Sequence, residues 1–136
     1  IEAYHPSNSR SQMLEKGSNH IILDAYNANP SSMKLAIENF ARLQVKDKVL
    51  LLGAMAELGD ESAAEHKAIV ELIRQYEWKE VVLVGKGFDN IIHPWQRFPD
   101  AAAAATWLAG QPFSNTHFLV KGSRSMQMEK VLDAIN

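Results

Sequence analysis

The sequence predicts an α/β fold, a mostly parallel sheet with helices on both faces, in a single domain. Short, continuously apolar runs recur along the chain, too short for helices and too unbroken for strands exposed on one side. Segments with apolar residues at helical spacing alternate with them, which is the order of a parallel sheet and its crossover helices. The length agrees: 136 residues with 46% hydrophobic content suit one domain with its own core.

The elements follow in order. His20-Ile21-Ile22-Leu23 reads as a buried strand ending at Asp24. Asn29-Pro30 opens a helix, with Asn29 as N-cap and Pro30 at the first position, where a missing N–H does no harm. Met33, Ala36, Ile37, Phe40 and Ala41 form its buried stripe. Lys48 to Gly53 is the second strand. Ser62-Ala63-Ala64-Glu65 has the capping-box spacing and starts a helix whose stripe includes Ile69, Val70 and Ile73. Glu80 to Gly85 is the third strand. Between Lys86 and Phe98 the expectations are a helical turn from Phe88 to Ile92 and a very short strand at Arg97-Phe98. Pro99-Asp100, the alanines of 101–105 and Thr106-Trp107-Leu108 give a helix ended by Gly110. Thr116 to Val120 is another strand. A last helix from about Ser125 carries Met128, Val131, Leu132 and Ile135 on one face.

Composition excludes several function classes. Fourteen basic against sixteen acidic residues leave a net charge of −2, without the basic excess of a nucleic-acid binder. With no cysteine there is no disulfide, thiolate metal site or cysteine nucleophile. The apolar runs fall far short of the roughly 20 residues of a membrane helix. No secretory signal is present, so a cytoplasmic location with no membrane partner is expected. No lysine precedes Ser or Thr, so there is no Walker A loop, and no Gly-x-Ser-x-Gly occurs. The histidines at 5, 20, 66, 93 and 117 lack metal-ligand spacing, and His66 reads as structural. Gly85-Lys86-Gly87 has Asn90 where a dinucleotide fingerprint needs glycine, and reads as a turn. The start at Ile1 rather than Met suggests a piece of a longer chain.

Ligands of parallel sheets bind beyond the carboxyl ends of the strands, which directs attention to the loops there. Asp24-Ala25-Tyr26-Asn27-Ala28-Asn29 puts a carboxylate and amides at a strand end and a helix start. It could take ribose hydroxyls, or it could be a capped turn and nothing more. Lys121-Gly122-Ser123-Arg124-Ser125 places two cations and two hydroxyls before the last helix. That suits a phosphate or carboxylate, with Arg124 able to bind in a bidentate manner; the competing reading is a solvated helix entry. Glu57, in Gly53-Ala54-Met55-Ala56-Glu57-Leu58-Gly59, is either a base or part of an acidic turn. Arg10 taken alone is a solvated arginine.

The stretches LDAYNANPSSMKLAIENF, KVLLLGAMAELGDESAAEH and FLVKGSRSMQMEKVLDAI, in this order, resemble the C-terminal domain of the MurF-type Mur ligases. The likeness runs from about Ser9 to Ile135. It implies a Rossmann-like domain spanning 1–136, lacking the UDP-substrate and P-loop ATPase domains that would be its partners. The implied whole enzyme is an ATP-dependent amide ligase of peptidoglycan synthesis, adding D-alanyl-D-alanine to UDP-N-acetylmuramoyl-tripeptide through an acyl phosphate. ATP and Mg2+ would be its cofactors, with the metal ligands outside this stretch. The resemblance assigns Arg10, Asp24, Tyr26, Asn27 and Asn29 to ATP binding, and Lys121, Ser123, Arg124 and Ser125 to the dipeptide carboxylate. The chain departs from the family pattern at Leu23, Ala25 and Ala54. A stand-alone nucleotide- or anion-binding module, and the equivalent domain of another ligase of the superfamily, are the alternative readings.

Overall fold

The computed structural model describes residues 11–25 and 27–135. Its elements are β1 (Gln12–Lys16), β2 (Asn19–Asp24), α1 (Pro30–Ala41), β3 (Lys48–Gly53), α2 (Ser62–Ile73), β4 (Glu80–Val84), β5 (Gln96–Phe98), α3 (Ala101–Ala109) and β6 (His117–Lys121). The strands form one sheet in the order β1-β2-β6-β3-β4-β5. Only β1 is antiparallel to its neighbour.

The unbroken apolar strands are explained by burial on both faces. Ile22, Leu50, Leu52, Val81, Leu83 and Leu119 point into a layer with Met33, Ile37 and Phe40 of α1 and Ile69, Val70 and Ile73 of α2. Their sequence neighbours Ile21, Val49, Leu51, Val82, Val84, Phe118 and Val120 point to α3 and the C-terminal segment. A strand buried on both sides has no polar position to alternate with.

Helix entry follows local chemistry at two of three sites. Asn29 caps α1: its side chain accepts from the Ser32 N–H at 2.8 Å, while the Ser32 hydroxyl accepts from the Asn29 N–H at 3.0 Å. Asp100 caps α3 through the Ala103 N–H at 2.8 Å. The capping box expected at Ser62 does not form. Ser62 already has helical backbone (φ −57°, ψ −48°), because a 3-10 turn over Gly59–Glu61 feeds α2, and Glu61 precedes the helix without a side-chain cap.

Three further expectations change. A strand before His20 was not anticipated, yet Gln12–Lys16 pairs with β2 through a two-residue turn at Gly17-Ser18. Gly17 has φ +61°, the glycine-first geometry of a tight hairpin. The turn expected at Phe88 to Ile92 is instead a 3-10 turn over Lys86–Phe88. The last helix is not α: two 3-10 stretches, Arg124–Met126 and Met128–Ala134, are separated by Gln127 at φ +52°. Met128 and Val131 are buried as expected, because residues three apart share a face in either helix type.

Candidate functional site

Strands β2 and β6 are parallel neighbours with Asp24 registered against Lys121, and β3 lies on the other side of β6. From β2 and β3 the chain continues to α1 and α2 on one face; from β6 it continues to the opposite face. Adjacent strands whose connections diverge in this way open a crevice at their carboxyl ends. Asp24 and Lys121 lie at its floor.

The side chains of Asp24 and Lys121 are 1% and 0% exposed, and Lys121 Nζ donates to Asp24 Oδ2 at 2.8 Å. The same ammonium donates to the Asn27 carbonyl at 3.1 Å. Asp24 Oδ1 is buried with no hydrogen-bond partner among the described residues. A buried acceptor left unpaired costs free energy until a donor reaches it. Asn29 is committed to the α1 cap, and Asn27 Oδ1 accepts from the Ala28 N–H at 2.9 Å. Arg10 and Tyr26 lie outside the described residues. Gln12, where β1 begins, is registered against Leu23 at this end of the sheet.

After Lys121 the chain turns against β3. A Cβ on Gly122 would come within 2.9 Å of Gly53 Cα, so only glycine fits that approach. The Ser123 N–H donates to the Ala54 carbonyl at 3.1 Å. Ser123 is buried, with its hydroxyl 3.0 Å from that of Ser125, whereas Arg124 and Ser125 are exposed. A three-residue 3-10 turn, Arg124–Met126, follows the loop where an α-helix was expected.

The loop after β3 is pinned by His66, which reasoning from sequence placed only as structural. The Met55 N–H donates to His66 Nε2 at 2.9 Å, so that nitrogen carries no proton, and Nδ1–H donates to the Ser62 carbonyl at 2.8 Å. Phe88 meets the ring edge-on at 4.8 Å, and a side chain at Gly87 would collide with it. Burial holds the His66 pKa below its ordinary value, more than offsetting the Ser62 hydrogen bond and Glu65, which raise it. The unfolded chain therefore takes up a proton near pH 6.5 that the folded chain resists. Stability should fall as pH drops through about 6.5 and level off below the lower folded value. Thermal melts at successive pH values, compared with His66→Gln, measure this; equal declines in both would exclude His66 as the group responsible.

Among the described residues no three of His, Asp or Glu converge as metal ligands, and no helix is long and apolar enough to cross a membrane. A cavity of about 430 Å3 opens at the amino ends of β2 and β6, lined by aliphatic side chains, Glu15, Gln44 and the stacked rings of His20 and His117. None of the motif residues lines it.

The family model for the Mur ligase glutamate ligase domain matches residues 9–124. The UDP-N-acetylmuramoyl-tripeptide–D-alanyl-D-alanine ligase of Escherichia coli is 35% identical over 130 residues, covering 90% of this chain and 28% of that enzyme. The ligase of the same name from Treponema pallidum is 32% identical, over 81% of this chain and 26% of its own length. Among solved structures, MurF of Thermotoga maritima in complex with ADP superposes with a TM-score of 0.77 at 27% identity, covering 92% of this chain and 30% of that one. MurF of Acinetobacter baumannii gives 0.76 at 30% identity, with 91% and 29% covered. The chain thus spans less than a third of each of these relatives.

Proposed function

The chain belongs to the Mur ligase family, through its glutamate ligase domain, and on that premise we propose that it works as the C-terminal domain, 1–136, of an ATP-dependent ligase. That enzyme joins D-alanyl-D-alanine to UDP-N-acetylmuramoyl-tripeptide in peptidoglycan precursor synthesis. The other two domains of the parent chain hold the UDP-substrate, the P-loop and the magnesium ligands. This domain closes over them, and positioning of that kind accounts for several kcal/mol of a barrier.

The observation that carries the reading is the buried carboxylate of Asp24 with one oxygen unfilled, beside a loop that offers hydroxyls and a guanidinium. A ribose hydroxyl matches the first feature and a dipeptide carboxylate matches the second. In this reading Asp24 accepts from the ribose, with Arg10, Tyr26 and Asn27 on the nucleotide side, and Asn29 sets the loop through its cap. Ser123, Arg124 and Ser125 hold the carboxylate. Lys121 is spent on Asp24 and Asn27 and acts behind that loop.

The test is steady-state phosphate release by the full-length ligase with ATP, Mg2+, UDP-N-acetylmuramoyl-tripeptide and D-alanyl-D-alanine. Arg124→Ala should raise the KM for dipeptide by roughly 10- to 100-fold, the worth of one or two charge-assisted hydrogen bonds, and leave the KM for ATP unchanged. An unaltered dipeptide KM removes Arg124 from the site. A parent enzyme inert toward these substrates sinks the ligase reading.

A further inference from the structure

Lys121 is the one fully buried lysine among the described residues, and a buried ammonium is rare unless it is paired. Two residues before each partner, Ile22 and Leu119 face the α1 and α2 layer, so Asp24 and Lys121 face the carboxyl rim of that same layer. The backbone after Lys121 nevertheless departs to the other face. The lysine side chain therefore reaches back across the crevice, from the strand that leads into 121–125 to the loop that leads into α1. Two of its three ammonium protons are accounted for, by Asp24 Oδ2 at 2.8 Å and the Asn27 carbonyl at 3.1 Å.

We propose that Lys121 is a positioning residue: by saturating Asp24 Oδ2 and tying down the Asn27 carbonyl, it sets the rotation of the carboxylate so that Oδ1 alone is presented to a ligand hydroxyl. Without the lysine, the carboxylate of Asp24 is free to turn about its own axis and seek other donors, and the loop over 25–29 loses its tie to β6. The inference rests on the reading of Asp24 as a ribose acceptor. It adds a role for a residue whose ammonium is already engaged inside the protein, by Asp24 Oδ2 and the Asn27 carbonyl. Because Gly122 packs on Gly53 and the Ser123 N–H bonds to Ala54, the loop assigned to the dipeptide starts from the same anchored point. Lys121 thus links the two halves of the site.

The experiment compares kcat/KM for ATP, 2′-deoxy-ATP and 3′-deoxy-ATP in the full-length ligase, for wild type, Lys121→Met and Lys121→Gln, each checked for a cooperative thermal melt. Wild type should prefer ATP over at least one deoxy analogue by roughly 10- to 100-fold, the value of a hydrogen bond to a charged acceptor. Lys121→Met should shrink that preference to near unity, and Lys121→Gln, which keeps an N–H donor, should retain part of it. A lysine with only a structural role would depress all three nucleotides equally and leave the preference intact, which overturns the proposal. A wild-type enzyme indifferent to the ribose hydroxyls sinks the reading of Asp24 instead. If neither variant melts cooperatively, the pair is a folding determinant and the positioning role is discarded.

Discussion

Replacing Asp24 with alanine is expected to lower the unfolding free energy by about 3–5 kcal/mol, because it strands a fully buried ammonium with no counter-charge. Lys121 has no exposed side-chain surface through which water could take over the lost interaction. Its remaining bond to the Asn27 carbonyl satisfies a proton but supplies no opposite charge. The double variant Asp24→Leu/Lys121→Met should be far less damaged, since removing both charges also removes the cost of burying them. Urea unfolding of the two variants and wild type measures the difference as a shift in midpoint at constant slope. A single-variant loss below about 1 kcal/mol would mean that solvent reaches Lys121 after all, and that the pair is no more than a surface ion pair.

An equally large loss, about 3–5 kcal/mol, is expected for Phe118→Ala, through the cavity it opens. Phe118 is fully buried on β6, between β2 and β3, and its ring meets Phe113 edge-on at 5.3 Å. It faces the layer containing Leu108, Met128 and Val131. The two substitutions should differ in their effect on the site. β6 is registered on both sides, Phe118 against Ile21 and against Val49, so Lys121 keeps its place when Phe118 is truncated. The full-length ligase carrying Phe118→Ala should therefore melt earlier yet keep its KM values at temperatures below the transition. A stability loss under about 1 kcal/mol would show that Phe113 swings in to fill the space.

Sequence reasoning worked best where the signal was local. The runs at β2, β3, β4 and β6 were legible because strands buried on both faces are apolar at every position. The cap at Asn29 was legible because a short polar side chain beside a helix start has one good partner, three residues on. Ser62 showed the same pattern and misled, because the chain entered α2 already coiled and the hydroxyl lies 3.2 Å from His66 Nδ1 instead. The C-terminal segment misled for a related reason: a stripe at three-residue spacing suits an α or a 3-10 helix, and the left-handed turn at Gln127 decides between them. Gly17-Ser18 was a usable hairpin signal for β1 that periodicity alone did not reveal.

By itself, the sequence determined the class of fold, the order of its parallel strands along the chain, and through three motifs the family. Those properties depend on residue type and on spacing within a few residues. Only the tertiary structure decided what Asp24 and Lys121 are to each other. They are 97 residues apart, and the insertion of β6 between β2 and β3 makes them neighbours 2.8 Å apart. The same contact holds the lysine inside the protein and leaves Asp24 Oδ1 without a hydrogen-bond partner among the described residues. Burial made the difference: taken out of water, two opposite charges must pair with each other, and no spacing along the chain records which two will meet.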